Sequence, residues 1–95
     1  MNFKEVCSVF KNEIESLKEW TFSEEGFKRS FLFKNHLEAI KFAENVSLEA
    51  ISLNIFPEIT IKFEKIEICF KFESESRFLK EVEFAKKIQN LHEMF

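Results

Sequence analysis

The sequence predicts an α+β fold in which an antiparallel sheet of three to four strands carries its helices packed on one face. Three features lead there. Three stretches repeat apolar residues at helical spacing, three others alternate apolar with polar residues, and they follow one another in the order α-β-α-β-β-α. Strands that alternate in this way have one apolar face to bury, so the helices are expected to gather on that face.

The first helix is expected over residues 3–17, where Phe3, Val6, Cys7, Phe10, Ile14 and Leu17 share a face and Lys4, Glu5, Lys11, Glu13 and Glu15 lie largely opposite. "WTFSEEGF" breaks that period at Gly26 and leaves room for a short extra strand. Residues 27–33 alternate Phe27, Arg29, Phe31 and Phe33 with polar neighbours and read as a strand. Asn35 followed by Glu38 is a helix start, because the Asn side chain accepts from an early backbone N–H while the Glu reaches back to the cap. This second long helix should run to about Leu53, burying Ile40, Phe42, Ala43, Val46, Ala50 and Leu53, with Pro57 enforcing the stop because its ring forces its predecessor out of the helical region. Ile59, Ile61 and Phe63, then Ile66, Ile68, Phe70 and Phe72, give two closely linked strands. Phe78, Val82, Ala85 and Ile88 mark a last helix within residues 77–95. The outer sheet face, with Lys62, Glu67, Cys69 and Lys71, should meet water or a partner.

Ninety-five residues without a repeat or a low-complexity linker predict a single domain over residues 1–95, small enough that oligomerisation is a natural route to extra burial. A formal charge of −3 with interspersed signs offers no basic stripe, which argues against nucleic-acid binding. No apolar run approaches the roughly 20 residues of a membrane span, and charges interrupt "MNFKEVCSVFKNE" where a signal core would lie, so no membrane association and a cytoplasmic location are expected. Cys7 and Cys69 have neither the spacing nor the histidine neighbours of a zinc site, so no metal is expected and both read as small apolar side chains. Fourteen Phe beside no Tyr is a compositional bias that fills aromatic core positions.

Two strings carry a family resemblance. "RSFLFKNHLEAIKF" is similar, through Arg29, Phe31, Phe33, Lys34, Glu38, Ala39 and Phe42, to a motif of the pterin-4a-carbinolamine dehydratases, also called 4a-hydroxytetrahydrobiopterin dehydratases. "LNIFPEITIKFEKIEICFKFE" resembles, without a gap, that family's L-N/D-H-H-P-E-W turn and the paired strands after it, through Pro57, Glu58, Phe63, Lys65, Ile66, Ile68 and Phe70. Trp20 stands where the family has a Trp before its first strands. After Glu73 the chain is one residue shorter than the family pattern and lacks its G-L-T/S turn, then resumes at Ala85 and Ile88.

The departures fall on the family's chemistry. By the resemblance, the paired histidines correspond to Ile55 and Phe56, a later histidine to Glu73, and two acidic helix positions to Ile51 and to the neighbourhood of Val82. Dehydration of a pterin carbinolamine expels a hydroxyl and removes a ring proton, work suited to imidazoles that titrate near neutrality. Ile and Phe have no proton to exchange. At about 1.5 Å per helical residue, His36 lies roughly 27 Å from the Ile55 end of its helix and His92 roughly 20 Å beyond Glu73. Glu73 is left as the one candidate acid or base, and a solvated strand-end carboxylate is the simpler reading of it.

Three functions compete. The first is a non-catalytic member of this fold, a protein-binding or assembly module, since Ile55, Phe56 and Phe72 put apolar surface at the former cleft. The resemblance implies association into homo-dimers or homo-tetramers through sheet edges and helices, with a protein partner as an option and no cofactor. The second is a 4a-hydroxytetrahydrobiopterin dehydratase of weak activity, or a pterin binder in which Phe56 stacks on the ring. The third is a small stable domain that acts through some other surface.

Overall fold

A computed structural model describes residues 2–95. The chain forms α1 (Phe3–Val9), α2 (Lys11–Ser16), β1 (Thr21–Phe22), β2 (Gly26–Leu32), α3 (His36–Leu53), β3 (Glu58–Lys62), β4 (Lys65–Lys71) and α4 (Glu75–Glu93). The strands make one antiparallel sheet in the order β1-β2-β4-β3, so the β3–β4 hairpin pairs through β4 with β2, and β3 is left at an edge. The α+β class and the four-stranded count match the sequence pattern. Among the described residues no helix is long and apolar enough to cross a membrane.

The register explains the inner face. Phe27 pairs with Phe70, Arg29 with Ile68 and Phe31 with Ile66, so these side chains point to the helices while Lys28, Ser30 and Leu32 point away. Phe27, Phe31, Phe70, Phe78 and Phe84 are fully buried with Phe42 of α3, and the rings of Phe27 and Phe70 stack at 5.0 Å. Gly26 sits where a Cβ would lie 1.8 Å from the Phe70 carbonyl oxygen, so only glycine admits the close pairing of β2 with β4. Seven of the fourteen Phe are buried. Only Phe56 and Phe63 are exposed, and they flank the two ends of β3.

Several expectations need correction. The first helix is two helices with a break at Phe10, whose φ of −114° and ψ of 38° leave the helical region, and Cys7 faces solvent instead of the core. α3 begins where expected, with the Asn35 side chain accepting from the Glu38 N–H at 2.9 Å, but the Glu38 side chain does not bond back to the cap and its buried Oε2 has no hydrogen-bond partner. The helix ends at Leu53, also as expected, but the stop comes from a cap before Pro57 is reached: Asn54 adopts a left-handed φ of 56° and the Ile55 N–H bonds back to the Ala50 carbonyl at 2.9 Å. Ile40 and Leu53 are half-buried. β3 departs most. Ile59 and Ile61 do face the helix side, opposite Ile68 and Ile66, yet Ile61 remains 49% exposed. Phe63 belongs to the tight turn after β3 and has a φ of 46°.

Candidate functional site

The site the sequence points to is assembled where α3 leaves, β4 ends and α4 begins. The left-handed cap at Asn54 swings Ile55 inward, and it is 6% exposed. Phe56 turns the other way, 66% exposed, with the Arg77 guanidinium 5.2 Å from its ring centre. Across from them β4 runs out through Phe72 to Glu73, and Ser74 caps α4 by accepting from the Arg77 N–H at 3.3 Å. One helical turn apart, Glu73 and Arg77 form an ion pair and hydrogen bond at the surface.

A cleft of about 380 Å³ opens between these segments, lined by Asn54, Ile55, Glu73, Arg77, Lys80 and Glu81. A smaller, more enclosed depression of about 80 Å³ adjoins it, where Phe56, Glu58, Cys69 and Lys71 meet Glu73, Arg77 and Glu81. Glu81 is the one buried charged residue of the described chain, 7% exposed. Burial pushes its carboxyl up to about 7, Glu73 adds to the rise and Arg77 opposes it. The cleft therefore holds a carboxyl that exchanges a proton near neutrality. Burial also raises the Cys69 thiol, with Glu58 and Glu67 adding to it, so that sulfur is a weak nucleophile.

The predicted residues do not all converge. Ile55, Phe56 and Glu73 border the cleft or its adjoining depression. Ile51 is exposed on the outer surface of α3, and Val82 points into the core. The third-helix residue that reaches the cleft is Glu81, one position before Val82. Glu81 was missed although a signal exists. It lies three residues after Phe78 and four before Ala85, on the margin of the apolar stripe, and four residues after Arg77.

Both histidines are engaged at the opposite end of the sheet. His36 stacks on Phe63 with centroids 4.9 Å apart and bonds the Phe63 carbonyl through Nδ1 at 2.7 Å. His92 bonds the Leu32 carbonyl at 3.0 Å and stands edge-on to Phe31, Phe33 and Phe42. At about 3.4 Å per strand residue, the seven residues of β4 put this end roughly 20 Å from the cleft. Among the described residues no three His, Cys, Asp or Glu side chains gather as a metal site requires.

A family model described as pterin 4 alpha carbinolamine dehydratase matches residues 8–91. Two curated relatives bear the provisional name pterin-4-alpha-carbinolamine dehydratase. The one from Sulfurisphaera tokodaii is 28% identical over 82 residues, covering 85% of this chain and 88% of its own. The one from Sulfolobus acidocaldarius is 23% identical over 82 residues, covering 85% and 90%. The crystal structure of a transcriptional coactivator/pterin dehydratase from Brucella melitensis superposes with a TM-score of 0.74 at 21% identity, over 90% of this chain and 94% of that one. At that identity the superposition speaks for the fold.

Proposed function

The chain belongs to the pterin 4 alpha carbinolamine dehydratase family, and from that premise we propose that it is a non-catalytic member, a single cytoplasmic domain that works as an oligomeric protein-binding or assembly module. One observation carries this reading. The turn after α3 presents Ile55 and Phe56 to the cleft, and both imidazoles of the chain are tied to carbonyl oxygens and aromatic rings at the far end of the sheet. A positioned general acid or base contributes about 10² to 10⁴ in rate, so a cleft without an imidazole lacks most of what carbinolamine dehydration needs. What its rim offers instead is the exposed ring of Phe56, while Ile51 and Ile61 add exposed apolar surface elsewhere on the molecule.

A second reading has its own support. Glu81 titrates at about 7 in a cleft whose rim carries the open face of Phe56, which suits a pterin binder with slow single-carboxyl turnover. A stopped-flow assay of reduced pterin carbinolamine, following quinonoid dihydropterin, separates the two, with sedimentation velocity run in parallel. The module reading expects a rate at the uncatalysed background and an oligomer. Turnover within about tenfold of a histidine-bearing relative would replace it with the enzyme reading.

A further inference from the structure

We propose that the cleft between α3 and α4 binds a free α-amino acid with an apolar side chain, its ammonium group on Glu81 and its carboxylate at Lys80 and the start of α4. This goes beyond the module reading and gives the module a small-molecule ligand.

Four charged side chains line the cleft: Glu73, Arg77, Lys80 and Glu81. Glu73 and Arg77 satisfy each other. Lys80 and Glu81 take part in none of the four ion pairs among the described residues. Neighbours in a helix do not face each other, so these two cannot pair together either. One ammonium and one carboxyl are thus left uncommitted in the same opening. Glu81 is the more telling of the two. It is only 7% exposed, it opens onto both the cleft and the adjoining depression, and among the described residues its carboxyl has no hydrogen-bond partner. Burial outweighs the attraction of Arg77 at this group. An unpaired buried carboxyl is unfavourable as an anion, and a ligand ammonium placed against it removes that penalty.

The backbone repeats the same polarity. The 18-residue α3 ends at the cleft, where Asn54 caps it and no basic residue stands in its last turn. The 19-residue α4 begins there with Ser74 and Ser76 in the lining, while Glu75 stays outside it. A helix carries roughly half a negative charge at its C-terminus and half a positive charge at its N-terminus, so opposite poles face one opening. Ser74 occupies the Arg77 N–H, and the N–H groups of Glu75 and Ser76 have no partner within the helix. A carboxylate set there meets free donors with Lys80 beside them.

At about 1.5 Å per residue Glu81 stands roughly 9 Å along the axis from Glu75, and helical side chains lean back toward the N-terminus, so the carboxyl closes part of that distance. One small molecule with neighbouring ammonium and carboxylate groups, hydrogen-bonded at each end, spans the rest. A simple anion would leave Glu81 unpaired, and a simple cation would leave Lys80 and the α4 donors unused. Ile55 in the wall and Phe56 in the adjoining depression give the ligand's side chain apolar neighbours, and the 380 Å³ of the cleft admits one of leucine size.

The test is a heteronuclear NMR titration of the full chain with L-leucine, beside 4-methylpentanoate, which lacks the ammonium, and 3-methylbutylamine, which lacks the carboxylate. Leucine should shift the backbone resonances of Asn54, Ile55, Ser76 and Arg77 and bind about tenfold or more tightly than either analogue. Glu81→Gln should weaken leucine by about tenfold without weakening 4-methylpentanoate, whereas Lys80→Met, at an exposed position, should weaken both. Leucine binding no tighter than its analogues, binding unmoved by Glu81→Gln, or no shift around the cleft at about 10 mM overturns the proposal. Each of these results leaves the module reading standing, because that reading is decided by the dehydration assay and by sedimentation.

Discussion

The two ends of the sheet are built from the same materials and do opposite things with them. At the hairpin end, imidazoles are spent on structure: His36 supports Phe63 in a left-handed turn that glycine or asparagine would ordinarily occupy, and His92 ties α4 to the last carbonyl of β2. At the cleft end, aliphatic and aromatic residues stand beside a carboxyl held near neutrality by burial. A titrating side chain is thus not catalytic by identity. What matters is whether the fold leaves its proton exchangeable beside an open space.

Substitutions can break that contrast or sharpen it. The largest effect is expected within the cleft itself, where Ile55→Ala should cost about 2–4 kcal/mol in urea unfolding because the side chain belongs to the core. A cost below about 1 kcal/mol would make Ile55 a lining residue only. Next is Glu81→Gln. The Glu81 carboxyl is raised in the folded state, so below about pH 4.5 it is protonated both folded and unfolded and costs nothing. As pH rises toward about 7 the unfolded chain ionises first and stability falls, by up to roughly 3 kcal/mol. Denaturant titrations should therefore find the Gln variant more stable than the parent at about pH 8 and equal to it at about pH 4. At the other end His92→Ala should cost about 1–2 kcal/mol through a lost hydrogen bond and edge-on ring contacts, with no change in pterin binding. Phe56→Ala should move stability by less than about 0.5 kcal/mol, while lowering any pterin affinity the cleft retains.

How much of this was legible in the sequence follows from what local pattern encodes. The α3 start was readable because Asn35 and Glu38 act within one turn, and the β3–β4 alternation was readable because a strand's faces are fixed by period two. The break at Phe10 carries no glycine or proline, so helical periodicity ran straight through it. Alternation places Ile61 on the helix side but does not say how far it is covered there, and it stays half-exposed. Glu81 was overlooked because its neighbour Val82 fits the apolar stripe.

The central claim is that the cleft end has at most one proton-exchanging group suited to neutral pH and that neither histidine reaches it. Single-turnover dehydration of a reduced pterin carbinolamine, compared between the parent, Glu81→Gln and a variant lacking both histidines, tests it most directly. The account predicts background rates in all three, or a small excess that only Glu81→Gln removes. A substantial rate that survives Glu81→Gln and vanishes when His36 and His92 are replaced would contradict it.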